Sequence, residues 1–350
     1  MPANIAEGKN GTHRAAYVGR PAWHNLGKVV TGIEGLTWPD IYKEAQLDYP
    51  LELRPAFAQL EDGTFIEATD RKAIVRTDLT PEQRPIFGYV TNQYELIHNQ
   101  QIGDVLDQLV EAKEASYVAT GALGRGERVW AVMELRLVKG LQIKGDPSAY
   151  GGYLFATTKH DGTGALQIGR SMVRLDCQNM LDMGLLRAEA TGKLVSIRHS
   201  GDPEAKIATA RDILGFVNRF VEEFKVVGNE LADIPLPRGF VKAFLEDLIP
   251  IPADMERTGS REEQREAIAH LYATSNTLVG VPGSAYRLVQ AVAEYADHYR
   301  PIRGSDANLA EARFKSAIEG PGHELKQLGL DLLLQKFEID VPKLVGAAKN

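Results

Sequence analysis

The segment from Arg170 to Arg187 holds the side chains best suited to grip a ligand, because its composition suits a helix and its cations recur at helical spacing. On that helix Arg170, Arg174 and Gln178 line up at i, i+4 and i+8, while Val173, Cys177, Met180 and Gly184 share another face. Two guanidiniums so placed can hold adjacent backbone phosphates, and the amides of Gln178 or Asn179 can reach sugar or base edges. Lys159 ahead of the segment, and Lys193, Arg198 and His199 after it, widen the same patch. The competing reading is a solvated helix face laced with surface ion pairs.

Other candidates carry less chemistry. The glycine loop Gly121 to Gly126 holds Arg125 and is followed by Arg128, but it lacks the strand-to-helix context and the Lys-Ser/Thr of a nucleotide loop. It reads as a hairpin tip, and both arginines are then candidate contacts on a basic finger. Cys177 needs a base and an oxyanion pocket to act as a nucleophile, and a cysteine on an apolar helical face is more often core. His160-Asp161 lacks the further ligands of a metal phosphohydrolase, so no catalytic residue, metal site or cofactor is expected. Trp23 and His24, in a Pro- and Gly-containing stretch, read as anchors for a loop.

The elements that must position these residues follow from pattern and punctuation. A loop-rich segment to about residue 50 contains one short helix near Trp38 to Ala45, capped by Thr37 with Pro39 in its first turn. An α+β core over residues 51–200 begins with a hairpin, Leu53 to Leu60 and Thr64 to Val75, around the turn Glu61-Asp62-Gly63. Strand character continues over Phe87 to Tyr94. Ile102, Val105, Leu106, Leu109 and Val110 then recur at helical spacing. A second hairpin joins Ser116–Thr120 to Arg128–Leu137, and a third strand pair, Gly152–Thr158 and Ala165–Ile168, brackets Asp161-Gly162.

Residues 201–350 read as helical. Asp202-Pro203 starts a helix on which Ile207, Ala210, Leu214, Val217, Val221 and Phe224 step by three and four. Pro235-Leu-Pro237 and Pro250-Ile-Pro252 bound a shorter helix, and Ser260 to Glu263 opens the next as a capping box. Further helices are expected over about Ser284 to His298 and Leu309 to Phe337. The class is therefore α+β: a mixed or antiparallel sheet with hairpins and packed helices, then a mainly helical half.

Composition bounds the partners. A chain of 350 residues, 44% hydrophobic and 25% charged, has no apolar run long enough for a membrane span and no signal-peptide core at its start. With one cysteine it has no internal disulfide, which fits the cytoplasm of a bacterial or phage-infected cell. The net charge of −7 argues against a simple DNA-coating protein, yet residues 115–200 carry 11 Lys and Arg against 7 Asp and Glu, a local +4.

Three segments together carry a resemblance. Pro21-Ala-Trp23-His24-Asn-Leu26-Gly27, then Lys159-His160-Asp161-Gly162 with Val173-Arg174-Leu-Asp-Cys177-Gln178-Asn179-Met180-Leu181, then Gly283-Ser-Ala-Tyr286 through Glu294-Tyr295-Ala-Asp297-His298, resemble a phage- and plasmid-related family filed as domain of unknown function 932. Met180 and Ala293 stand where that family's pattern has threonine. The order of hairpins and helix is in turn similar to single-strand annealing proteins of the Redβ and RecT kind. What that resemblance implies is an oligomeric, cofactor-free protein of DNA recombination that binds single-stranded DNA and anneals it. The alternative is a non-enzymatic assembly or interaction protein of a mobile element, which suits the negative charge better; a hydrolase using His160, Asp161 or Cys177 is the weakest reading.

Overall fold

The computed structural model describes residues 5–19, 26–31, 35–162, 166–174, 180–181, 195–197, 203–252, 259–302, 312–313, 316 and 320–348. The fold is α+β. Its largest element is an eight-stranded sheet in which β1 (Ala15–Val18), β2 (Lys28–Val30), β6 (Ala115–Leu123), β7 (Arg128–Leu135), β8 (Tyr150–Lys159), β9 (Leu166–Arg174), β10 (Met180–Leu181) and β11 (Val195–Ile197) take part. The path is β10-β9-β8-β7-β6-β1-β2, with β11 also on β9; β1 and β2 are parallel and the other pairs antiparallel. A second sheet is the meander β3 (Leu51–Gln59), β4 (Phe65–Arg76) and β5 (Ile86–Thr91).

Both expected hairpins form where their turn residues stand. Gly63 closes the β3–β4 turn at φ +86, a conformation that costs a side chain but not glycine. The β6–β7 loop is shorter than its glycines suggest, because strand pairing runs on through Gly121↔Trp130 to Leu123↔Arg128. Helix α1 (Trp38–Glu44) starts as expected at Thr37, whose backbone N–H donates to the Asp40 carboxylate at 3.0 Å, and its Trp38 indole donates to the Asn99 carbonyl at 3.0 Å. Helix α2 (Gly103–Glu111) buries Val105, Leu106 and Leu109, the stripe its spacing predicts.

In the helical half, α3 (Pro203–Asp233) is followed by α4 (Phe240–Leu248), α5 (Gly259–Thr274), α6 (Ala285–Glu294), a π-helical turn over Tyr295–Tyr299, α7 (Pro321–Lys336) and α8 (Val341–Ala348). The prolines at 235, 237, 250 and 252 lie in the breaks on either side of α4, where a missing N–H and a fixed φ end a helix. One hydrophobic cluster of buried side chains runs from Ala6 to Val341.

Alternation along the central strands sorts their side chains into two faces. Val129, Ala131, Met133 and Leu135 of β7, with Leu154 and Ala156 of β8 and Ile168 and Met172 of β9, are buried. The helices cover this inner face: Tyr150 meets Phe224 of α3 edge-on at 4.8 Å, and its hydroxyl lies 2.6 Å from that of Tyr286 on α6. No helix among the described residues is long and apolar enough to cross a membrane.

Candidate nucleic-acid interface

The opposite face of the large sheet is only partly covered. Arg128, Trp130, Val132 and Glu134 of β7, and Tyr153, Phe155, Thr157 and Lys159 of β8, alternate with the buried set and are all half-exposed. Register places them in rows, Arg128 beside Lys159, Trp130 beside Thr157, Val132 beside Phe155 and Glu134 beside Tyr153. Trp130 can lie low over β6 because its neighbour there is Gly121, where a Cβ would come 2.8 Å from the indole. Tyr17 of β1 extends the aromatic strip, its ring centroid 6.4 Å from that of Trp130, and burial pushes its hydroxyl up to about 12.

The two ends of this face differ in charge. At one end Arg128 and Lys159 stand directly opposite each other, and neither is in an ion pair among the described residues. Like charges facing across an antiparallel pair repel, so the pair favours an anion between them. At the other end the start of β6 and the end of β7 open into a cleft of about 730 Å³ against α2 and the Gly35–Thr37 segment. Val18, Leu36, Val110, Val118 and Tyr153 give it apolar walls, and Glu111, Lys113, Glu134 and Arg136 stand at it. Six steps of about 3.3 Å from Arg128 to Glu134 make the face about 20 Å long.

The structure divides the residues that the sequence singled out. Arg128 and Lys159 are brought together on this face. Arg170 and Arg174 are not, and the helix expected from Arg170 is a strand as far as Arg174, because β9 pairs with β8 from Thr157↔Gln167 to Tyr150↔Arg174. Both arginines point to the inner face. The Arg170 guanidinium sits 4.1 Å from the Phe220 ring centroid. Arg174 is 0% exposed and forks onto Asp146 at 2.7 and 2.6 Å while donating to the Thr277 carbonyl at 2.7 Å.

Arg125 does lie at a hairpin tip, but the tip is docked rather than projecting. Its guanidinium donates to the Arg84 carbonyl at 2.5 Å and lies over Phe87, while its own carbonyl accepts from Arg76 and that of Gly126 accepts from the Tyr49 hydroxyl. Gln178, Asn179, Lys193 and Arg198, like Trp23, His24 and Cys177, lie outside the described residues. His160 is buried, its Nε2 2.6 Å from Asn99 Oδ1, and desolvation, with His98 nearby, pulls it down to about 4. No group of three or more His, Cys, Asp or Glu able to hold a metal occurs among the described residues.

The polar residues that sequence reasoning missed form a lock between sheet and helices. Asp146 accepts from Arg174, from the Tyr286 hydroxyl at 2.5 Å and from the Ser148 N–H at 2.9 Å, and Gln290 donates to the Tyr150 hydroxyl at 2.5 Å. Burial, with Tyr150 and Asp146 beside it, holds the Tyr286 hydroxyl far above its ordinary range. Thr277, whose carbonyl takes Arg174, also donates its hydroxyl to the buried Glu294 at 2.7 Å, and Asp297 pairs with Lys326 at 2.7 Å. Arg174, Tyr286, Glu294 and Asp297 all belong to the motif segments quoted above, so at these four positions the motifs serve packing.

Fold and site together define an α+β protein with one helix-covered sheet face and one half-open aromatic face. The chain belongs to the family described as domain of unknown function DUF932, whose profile matches residues 86–318. That span takes in β5 to α6 and therefore both faces of the sheet. No curated protein and no solved structure matches the chain.

Proposed function

We propose that the protein binds single-stranded DNA along the half-open face of the large sheet and, as an oligomer without a cofactor, brings complementary strands together in the manner of single-strand annealing proteins. The observation that carries this reading is the row Arg128–Lys159 at the head of the aromatic strip Trp130, Phe155, Tyr153. Facing cations suit a phosphate, and flat rings at strand spacing suit successive bases, whose stacking tolerates any sequence. A chain of net charge −7 can still do this if its cations are local, since the counterions released come from the phosphates actually contacted.

The test is a fluorescence anisotropy titration with single-stranded and duplex DNA over a range of salt. Arg128→Gln with Lys159→Gln removes two phosphate contacts, so the slope of log affinity against log salt should fall by about 1.4, at ~0.7 per single-strand phosphate. A titration that stays flat at low salt overturns the reading and leaves a non-enzymatic assembly role.

A further inference from the structure

We infer that the distal half of the β3–β4 hairpin is a docking finger that enters the 730 Å³ cleft of a second copy of this chain. The inference deepens the oligomeric part of the proposed function and rests on it; its contacts lie at the end of the sheet face opposite the Arg128–Lys159 row and share Tyr153 and Glu134 with that face.

Strand β5 pairs with β4 only from Arg71 to Val75, so beyond the irregularity between Pro55 and Phe57 the hairpin continues as two strands alone. Such a ribbon is marginal in water without something to pack against. It nonetheless carries Phe57, Leu60, Phe65 and Ile66, which are 57%, 45%, 64% and 52% exposed. These four, with Ile86 and Tyr89 on β5, are six of the eleven large apolar side chains exposed among the described residues. Register sets Phe57 and Phe65 on one face of the ribbon and Ile66 on the other, so both faces of the finger carry exposed apolar side chains, which marks a contact surface rather than scatter.

Charge selects the occupant. From Ala56 to Ala68 the finger holds Glu61, Asp62 and Glu67 and no lysine or arginine. Two fingers packed on each other therefore set three carboxylates against three, which disfavours a symmetric finger-to-finger dimer. The cleft offers apolar walls in Val18, Leu36, Val110 and Val118, with Lys113 and Arg136 beside them, and neither cation is in an ion pair among the described residues. Glu111 and Glu134 stand at the same cleft and balance the two cations in number, so the acidic tip has to sit beside Lys113 and Arg136. At ~30 Å³ per water the cleft has the volume of roughly two dozen waters, room for the rings of a hairpin tip. A knob on one part of a chain and a hole on another make a head-to-tail contact, which closes into a ring or extends as a filament.

The experiment is sedimentation velocity of the full chain without DNA. Wild type should associate with concentration. Phe57→Ser with Phe65→Ser should be monomeric, each ring lost weakening the contact roughly 10- to 100-fold. Lys113→Glu with Arg136→Glu should also be monomeric, and all four positions are exposed or at the cleft, so thermal melting should confirm that both variants fold. The decisive step mixes the two variants: the intact finger of one meets the intact cleft of the other, and a one-to-one complex should appear. A wild type that stays monomeric to its solubility limit, a finger variant that still associates, or a mixture that forms no complex would each overturn the inference. Arg128→Gln with Lys159→Gln should leave association unchanged, so loss of DNA binding and loss of assembly are read separately.

Discussion

Arg174 separates two accounts of this chain, because as a phosphate contact it affects DNA affinity and as part of the buried lock it affects stability. The perturbation is Arg174→Ala. It removes a forked ion pair to Asp146, with both side chains 0% exposed, and a hydrogen bond to the Thr277 carbonyl. The Asp146 carboxylate is then left in the interior with the Tyr286 hydroxyl and the Ser148 N–H but no countercharge. Breaking a buried pair by deleting one partner costs about 3–5 kcal/mol, and domains are stable by only about 5–15 kcal/mol. For a stability of about 10 kcal/mol, in the middle of that range, urea unfolding should show a midpoint lowered by about a third to a half at unchanged slope. Asp146→Ala should cost a similar amount, and the double variant less than the sum, by about 2 kcal/mol or more, since the second deletion removes the stranded charge. Unfolding of Arg174→Ala within about 1 kcal/mol of wild type would refute the buried lock. So would a variant that keeps its stability and loses DNA affinity.

Further expectations follow from the same contacts. Tyr286→Phe removes one donor to Asp146 and one partner of Tyr150, and should cost about 1–3 kcal/mol in the same assay, with Tyr286→Leu costing more through lost ring packing. His160 is neutral in the fold down to about pH 4 but has an ordinary value near 6.5 when unfolded. Between those values the unfolded chain binds the extra proton, so stability falls as pH drops from 6.5 and the loss ends near 4. Unfolding at pH 5 should show roughly 2 kcal/mol less stability from this group than at pH 7, and His160→Gln should remove that increment; an unchanged pH profile would contradict the burial. Trp130→Leu keeps an apolar side chain but removes the stacking ring, and should weaken single-strand binding roughly 5- to 150-fold, for stacking worth about 1–3 kcal/mol per base.

Much of the fold is legible in the sequence where local chemistry and global packing agree. Glu61-Asp62-Gly63 and the Gly124 and Gly126 positions turn hairpins, the Val105–Leu106–Leu109 stripe makes α2, and the prolines at 235, 237, 250 and 252 stand between helices. The segment after Gly169 misleads for a geometric reason. A spacing of four puts two residues on one face of a helix and also on one face of a strand, so Arg170 and Arg174 do share a face, but it is the interior one. Arginines on a buried strand face are rare enough that charge alone points outward. Asp146, the partner that makes this tolerable, sits in Gly145-Asp146-Pro147-Ser148 and reads only as a turn.

The half-open face was readable in part. Arg128-x-Trp130-x-Val132-x-Glu134 and Tyr153-x-Phe155-x-Thr157-x-Lys159 alternate, and each carries a cation where antiparallel pairing brings the two together. The alternation marks Val129, Ala131, Met133 and Leu135 as the inner set, since their neighbours include Arg128 and Glu134, but it does not say which elements cover that set. Those elements are α3 and α6, far along the chain.

Photo-crosslinking locates the DNA most directly. A single strand carrying a photoreactive base analogue is bound, irradiated and mapped by mass spectrometry of the digested protein. Adducts on Trp130, Phe155 or Tyr153 are expected, reduced in the Arg128→Gln, Lys159→Gln protein. Adducts confined to the helical layer or to the Phe57–Phe65 finger, with the three sheet-face rings unmodified, would contradict the assignment of that face.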